Sequence, residues 1–341
     1  MVTYTVRRLL QALPTIVGIT IISFIIIMSA PGDPIAMLSG QTRQVSPDAE
    51  ARLRRQLGLD QPITLQYLYW LIGNDWTSID VDGDGTGDIT GSRQGILRGD
   101  FGSSFSQQRP VMELIVERIP ATLQLTGAAF VMGYGVGILL GLLAAGYHRS
   151  WIDQLVRIVS VVGSAVPDFW LALLLIMFFS VSLKLLPMGG MRDIGNPNAT
   201  VIDNLKYMIM PVTVLAFGTI ASVARYLRTK MLDVLSQDYV RTAQAKGLRS
   251  RTVWWQHAFR NAVLPLATFV GPALGSLFTG AVIVETIFSW PGMGRLIVNA
   301  VFERDYPLIM GTIMMTALLY IGGLIISDVL YVALDPRIRL R

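Results

Sequence analysis

Residues Leu9–Ala30 read LLQALPTIVGITIISFIIIMSA, 22 residues without a single charge. An α-helix rises about 1.5 Å per residue, so roughly 20 apolar residues match the hydrocarbon thickness of a bilayer. The run exceeds the roughly 7–15 apolar residues of a cleaved secretory leader. Arg7 and Arg8, just before it, read as a topology determinant rather than an export signal. An uncleaved anchor helix is therefore expected.

Further runs of this kind follow. Ile119–Tyr147, Ile158–Val181 (interrupted by Asp168), Tyr207–Ala224, Ala262–Phe288 (with Glu285 near its end) and Tyr306–Ser327 complete a set of six expected spans. The composition agrees, at 52% hydrophobic and 15% charged, where soluble domains average about 25% charged. The expected fold class is an all-α polytopic membrane protein with six transmembrane helices. The chain has no cysteine, which excludes disulfides, thiolate metal sites and cysteine nucleophiles.

An even number of spans puts both termini on one side. If that side is the cytoplasm, the inner segments hold fifteen Lys and Arg residues and the two short outer loops hold five. Basic residues in short loops set orientation, so both termini are expected inside. The net charge of +5 is then accounted for by topology, and no nucleic-acid partner is expected.

The long outer segment, 31–118, reads as short helices joined by polar loops. Ser46-Pro47-Asp48 opens one with a cap, a first-turn proline and an acid, and Gly58 closes it. Pro62–Gly73 and Pro110–Ile119 read as two more apolar helices too short to cross a bilayer. Between them lies Asp80-Val-Asp-Gly-Asp-Gly-Thr-Gly-Asp88. Asp80, Asp82, Asp84, Thr86 and Asp88 fall at EF-hand ligand spacing around the turn glycine Gly85. Position 12 is Gly91, where a bidentate glutamate belongs. Two readings stand: a weak external calcium clip, or a solvated acidic turn of ordinary turn residues.

The inner stretch Asp238–Leu266, DYVRTAQAKGLRSRTVWWQHAFRNAVLPL, divides into two helical pieces at Gly247, a residue suited to a left-handed helix end. Ala243 and Ala245 are small enough to admit a facing surface closely. A rigid knob of this kind, continuous with a membrane helix on each side, can transmit a push.

Ala243-x-Ala-x-Gly247, followed by Asn261 and Leu264-Pro265, resembles the EAA loop of importer-type ABC permeases, with Thr242 before Ala243 in place of the naming glutamate. The segments Pro31-Gly-Asp-Pro34, Leu57-Gly-Leu-Asp60, Gly99-Asp-Phe-Gly102, Arg118-Ile-Pro-Ala-Thr122 and Pro167-Asp-Phe-Trp170 extend the likeness. Glu285-Thr-Ile-Phe-Ser-Trp-Pro-Gly-Met-Gly294, Arg304-Asp-Tyr-Pro307 and Asp335-Pro-Arg337 continue it. Together they resemble the B-type permease of dipeptide and oligopeptide importers, with nickel and glutathione permeases as near relatives. The likeness is collinear over nearly the whole chain and departs at about Gly73–Gly95.

The resemblance implies a type I ABC importer permease fold in a prokaryotic cell membrane. On that pattern 1–30 is the anchor helix, 31–118 a helical extracytoplasmic insertion after the first span, and 119–341 the permease core with its coupling loop at 229–261. It implies pairing with a second, similar permease, two ATPase subunits and an external solute-binding protein. Thr242, Ala243, Ala245, Lys246 and Gly247 are then the docking turn, with His257, Arg260, Asn261 and Pro265 stiffening or orienting it. No G-x-x-x-x-G-K-[ST] phosphate loop occurs in the chain, so no ATPase activity and no resident cofactor are expected beyond a weak calcium ion.

Gly133, Gly137 and Gly141, and Gly271 with Gly275, form small-residue stripes read as helix-packing seams. Of the three intramembrane acids, Asp168 is expected to face the pore, whereas Glu285 and Asp328 are expected to reach water at the span ends. A proton-coupled carrier using Asp168 and Glu285 is the alternative from another class. An intramembrane metalloprotease has no H-E-x-x-H pair to support it, the only histidines being His148 and His257.

Overall fold

The computed structural model describes residues 2–29, 47–84, 86–193, 201–277 and 281–334. Ser46, Gly85 and Asp335–Arg337 lie outside them, as does the Asp328 side chain. The fold is mostly helical: α1 (Val2–Ser29), α2 (Pro47–Leu57), α3 (Ile63–Ile72), α4 (Val111–Gly146), α5 (Trp151–Ala165), α6 (Asp168–Leu175) and α7 (Val201–Leu235) come first. After them come α8 (Asp238–Ala245), α9 (Ser250–Thr252), α10 (Arg260–Val263), α11 (Ala267–Ser276), α12 (Val282–Ile287), α13 (Met293–Phe302) and α14 (Tyr306–Leu334). A two-stranded antiparallel hairpin, β1 (Ser78–Ile79) and β2 (Ile89–Thr90), sits in the outer segment.

Among the described residues, four stretches are long and apolar enough to cross a bilayer: Leu10–Ser29, Val111–Gly146, Asp203–Leu235 and Tyr306–Ile326. Trp151–Ala165 and Asp168–Ser182 form a fifth candidate that bends by 106°. The expected third span is thus broken, because Val166 and Pro167 take extended backbone between the two helices. The expected fifth span falls on short pieces, α10, a 3₁₀ turn at Leu264–Leu266, α11 and α12. Pro265 and Pro272 within it each remove a helical N–H donor. Pro110–Ile119 is not a separate short helix: α4 runs unbroken from Val111 with Pro120 in its interior.

The chain divides into two compact units, one of Val2–Ile119 with Leu296–Leu318, the other of Pro120–Arg295 with Leu319–Arg341. In the first, α3 lies against α1. Tyr67 Oη and Thr20 Oγ1 share a hydrogen bond of 2.9 Å, and the Phe24 ring meets Tyr67 edge-on at 5.4 Å. Gly58, at φ +71°, ends α2 as read from the sequence. Asp305 is fully buried and accepts hydrogen bonds from Ser104 Oγ, Ser106 Oγ, the Ser106 amide and the Leu308 amide. This clasp joins the turn before α14 to the loop before α4.

The second unit is built on α7. A Cβ added to Gly133, Gly137 or Gly141 would lie 2.8 Å from Thr219, Val223 or Ala224 respectively, so the glycine stripe of α4 is the seam on which α7 rests. Gly163 of α5 meets Ala221 in the same way at 2.9 Å, and Gly275 of α11 faces Gly323 of α14 at 2.6 Å. At the N-terminus of α5, Ser150 caps the helix and Asp153 is buried. Asp153 accepts from Arg228 Nε at 2.5 Å, from Arg228 Nη2 at 2.8 Å and from the Arg149 amide at 3.0 Å. A buried carboxylate with a bidentate guanidinium partner fixes the register of α5 against α7.

Leucine at Gly141 must displace the α7 backbone. Gly141→Leu is expected to destabilise the detergent-purified chain by about 1–3 kcal/mol, as overpacking generally does. Gly127→Leu, where an added Cβ meets nothing within 4 Å, is expected to leave the thermal midpoint in place.

Candidate functional site

The knob predicted from Asp238–Leu266 is a compact two-armed structure. Its first arm is α8. Lys246 and Gly247 end it, Gly247 at φ +77° with its amide on Gln244 O and the Leu248 amide on Ala243 O. A side chain at Gly247 has open space around it, so glycine is required there by backbone conformation and not by packing. The second arm runs from Ser250 through a π-helical segment, Val253–Phe259, into α10 and the 3₁₀ turn holding Pro265.

Two contacts weld the arms together, and a third seats the second arm on the membrane helices. Val240, Ala243 and Val253 form a small buried cluster, flanked by Val234 and Leu235 at the end of α7. Asn261 Nδ2 donates to Tyr239 Oη at 3.3 Å and to His257 O at 2.7 Å, tying α10 to α8. Ala258, Ala262 and Leu266 pack with Leu227 and Met231 of α7 and Ala145 of α4. The knob is thereby continuous with the hydrophobic core of the second unit.

The structure separates residues that the sequence reading grouped. Thr242, Ala245, Lys246 and Gly247 are exposed at the tip, as are Arg260 and Asn261. Ala243 is buried, at 6% exposure, inside the knob. Residues two apart on a helix point about 200° apart, so Ala243 and Ala245 cannot share one docking face. Ala243 closes the knob and Ala245 is presented outward. His257 is half-buried and contributes its carbonyl to the Asn261 bond.

Asp168 is the first residue of α6 and is exposed, beside the 106° bend. Pro167 ends the preceding helical path, so Asp168 stands at a helix N-terminus, where an acid complements the helix dipole, at the break of the bent pair.

Glu285 does not reach water. It is fully buried, and its carboxylate is caged by donors. Thr122 Oγ1 donates to Oε1 at 3.0 Å, the Ala281 amide to Oε1 at 3.3 Å and the Arg295 amide to Oε2 at 3.0 Å. Thr122 Oγ1 also accepts from the Met293 amide at 2.8 Å, and Trp290 Nε1 donates to Ala121 O at 2.8 Å. A Cβ on Gly292 would fall 2.4 Å from the Glu285 carboxyl carbon. The cage thus explains two sequence segments at once: Ala121-Thr122 supplies one wall, and the Trp-Pro-Gly-Met-Gly turn wraps the acid. Span-end placement suggested water because the turn that folds back over Glu285 is visible only in three dimensions.

The Asp/Gly-rich loop forms the tip of the β1–β2 hairpin and has no helix on either side. Asp80, Asp82 and Asp88 offer carboxylate oxygens within 4.8 Å of one another, which is the spacing a cation needs. Asp88 Oδ2, however, accepts from the Val81 and Asp82 amides at 2.8 and 3.2 Å, and Asp80 Oδ1 from the Gly83 amide at 2.5 Å. Asp84 does not join the triad. Its carboxyl is held below the usual carboxylate range by the Thr86 hydroxyl and then the Thr86 amide. At the hairpin base Asn74 and Gly91 touch, since a Cβ on Gly91 would lie 2.2 Å from Asn74 O. Arg98 Nη2 pairs with Asp75 Oδ1 at 2.6 Å beside them.

Removing the Thr122 hydroxyl strips a donor from Glu285 and an acceptor from the Met293 amide. Thr122→Val is expected to cost about 2–3 kcal/mol in thermal or denaturant unfolding in detergent, and Thr122→Ser to restore most of it.

Comparison with known proteins agrees with this architecture. Residues 137–340 match the family described as the binding-protein-dependent transport system inner membrane component, and residues 1–126 match the N-terminal region of that family. The oligopeptide transport system permease protein AppB of Bacillus subtilis (strain 168) is 39% identical over 339 residues, covering 99% of both chains. The dipeptide transport system permease protein DppB of Escherichia coli (strain K12) is 36% identical over 359 residues, again at 99% of each chain. The di/tripeptide permease DppB of Pseudomonas aeruginosa (strain UCBPP-PA14) is also 36% identical, with 99% of both covered. The chain therefore belongs to the family of inner membrane components of binding-protein-dependent transport systems, a multi-pass membrane protein that serves as a transport component.

Proposed function

We propose that the chain is the transmembrane permease subunit of an ATP-binding-cassette importer of peptides and forms half of the translocation pathway. Full-length similarity at 36–39% to permeases named for oligopeptides, dipeptides and di/tripeptides carries this reading. ATP is hydrolysed on two separate subunits, a second similar permease completes the pore, and an external binding protein delivers the cargo. Six crossings with both termini cytoplasmic fit the distribution of basic residues, the fifth being assigned to the helical pieces α10, α11 and α12.

The knob supports coupling through an ATPase cleft. Its exposed tip of Thr242, Ala245, Lys246 and Gly247 is backed by a buried core, so force applied at the tip moves α7 and the second arm together. Ala245→Glu is expected to abolish co-purification of the ATPase subunits while leaving the thermal midpoint of the permease unchanged. A variant that still recovers the ATPases in full would remove the tip from the interface. Peptide-loaded binding protein is expected to stimulate ATP hydrolysis by the assembled transporter in liposomes. Stimulation by nickel chelates or glutathione alone would reassign the cargo.

For the hairpin we propose a solvated acidic turn in the segment that meets the binding protein. Backbone amides already donate to Asp88 Oδ2 and Asp80 Oδ1, as they do in an ordinary acidic turn. The second reading, a weak calcium clip, rests on the closeness of the Asp80, Asp82 and Asp88 carboxylates. The turn reading predicts no change in melting temperature with millimolar calcium. A shift abolished by Asp82→Asn would assign the cation site instead. Because Asn74 and Gly91 are already neighbours, deleting Asp75–Thr90 is expected to preserve assembly and basal ATP hydrolysis and to lower only stimulation by the binding protein.

A further inference from the structure

Helix α7 has two unlike faces. Val223, Ala224, Leu227 and Met231 are buried against α4, α5 and the second arm of the knob. Ser222, Arg225 and Thr229, three and four residues apart and so on one face, are exposed. They border an open concave cavity of about 740 Å³, also lined by Tyr134 of α4 and Phe269 of α11. The size suits a small-molecule or short-peptide site.

Three features of the cavity bear on its occupant. Among the described residues its lining contains two cations, Arg225 and Lys230, and no acidic residue. Lys230 has an exposed partner in Asp233 at 3.6 Å. The Arg225 guanidinium instead donates to the neutral Ser164 hydroxyl at 2.7 Å, and that hydroxyl donates to Ser160 O. Arg225 is thus positioned by α5 without being neutralised by it. Finally, Tyr226 and Phe269 meet edge-on at 5.1 Å in the wall, an apolar surface beside the charge. Arg225 follows directly on the expected span Tyr207–Ala224, so this polar, cationic face stands at the inner end of the membrane helix, against water or a polar partner.

We propose that this cavity is the chain's inner share of the translocation pathway, and that Arg225 receives the free carboxylate of a peptide in transit while the Tyr226–Phe269 wall accommodates its apolar side chains. The proposal rests on the peptide-importer reading above. It makes Arg225 a specificity-determining residue that favours cargo with a free carboxyl end and disfavours cationic cargo.

The absence of native cysteine gives a direct test in the full transporter, with partner subunits made cysteine-free. Ser222→Cys and Thr229→Cys are expected to react with a membrane-impermeant maleimide in the nucleotide-free assembly, whereas Leu139→Cys on the apolar face of α4 is not. In proteoliposomes supplied with saturating loaded binding protein, Arg225→Gln is expected to lower uptake of a free-acid peptide relative to its C-terminal amide. The drop is on the order of tenfold, the weight of one charge-assisted hydrogen bond, and Arg225→Lys restores much of the preference. Unreactive cysteines at both positions would mean that the partner permease covers this face and would overturn the assignment. So would an unchanged acid-to-amide ratio in Arg225→Gln while peptide still drives ATP hydrolysis. Loss of peptide stimulation in the native assembly would sink the peptide-importer reading itself, and the carboxylate role with it.

Discussion

The second unit depends on how closely α4 approaches α7. Gly133, Gly137 and Gly141 place bare backbone against Thr219, Val223 and Ala224. In lipid, apolar side chains gain nothing by leaving hydrocarbon for one another, so close van der Waals contact over small residues is what holds helices together. This seam seats α7, and α7 carries the rest: the Arg228 that clasps Asp153, the polar face of the cavity, and the turns on which the knob is built. Widening the seam by one side chain would shift all three.

Buried charge supplies the second layer of order. Asp153, Glu285 and Asp305 are each almost or wholly inaccessible, and each is saturated with donors. Such clasps are weak sources of net stability, because desolvating a charge offsets much of what its partners return. Their effect is on specificity: a one-residue slip of α5 against α7, or of the Trp290–Gly294 turn over Glu285, would leave a carboxylate buried without partners. The acids that looked like candidates for proton coupling are, in the case of Glu285, fasteners for a turn.

The knob is short of soft joints, as the proposed coupling role requires. Its sole left-handed residue is at the tip, its arms are bolted by Val240, Ala243 and Val253 and by the Tyr239–Asn261 bond, and its second arm passes through Pro265 into α11 without an intervening loop. Ala245 is thereby backed by packed contacts that run into the core of the second unit, the rigidity that the proposed coupling would need.

Apolar run length, basic-residue bias and the spacing around Gly247 were legible from the residues alone, because helix length, charge placement and positive-φ glycine are local properties. So were the Gly133–Gly137–Gly141 seam and the division of the knob into two arms. Four of the expected spans lie on long helices, but the third bends at Pro167 and the fifth divides around two prolines. Hydropathy averages over such breaks and cannot register them. Which acids are solvated and which are caged, and which of Ala243 and Ala245 faces outward, were decided only by tertiary structure. The partners of Glu285 lie up to 163 residues away in sequence, and burial is set by what folds over a residue, not by its own neighbours in the chain.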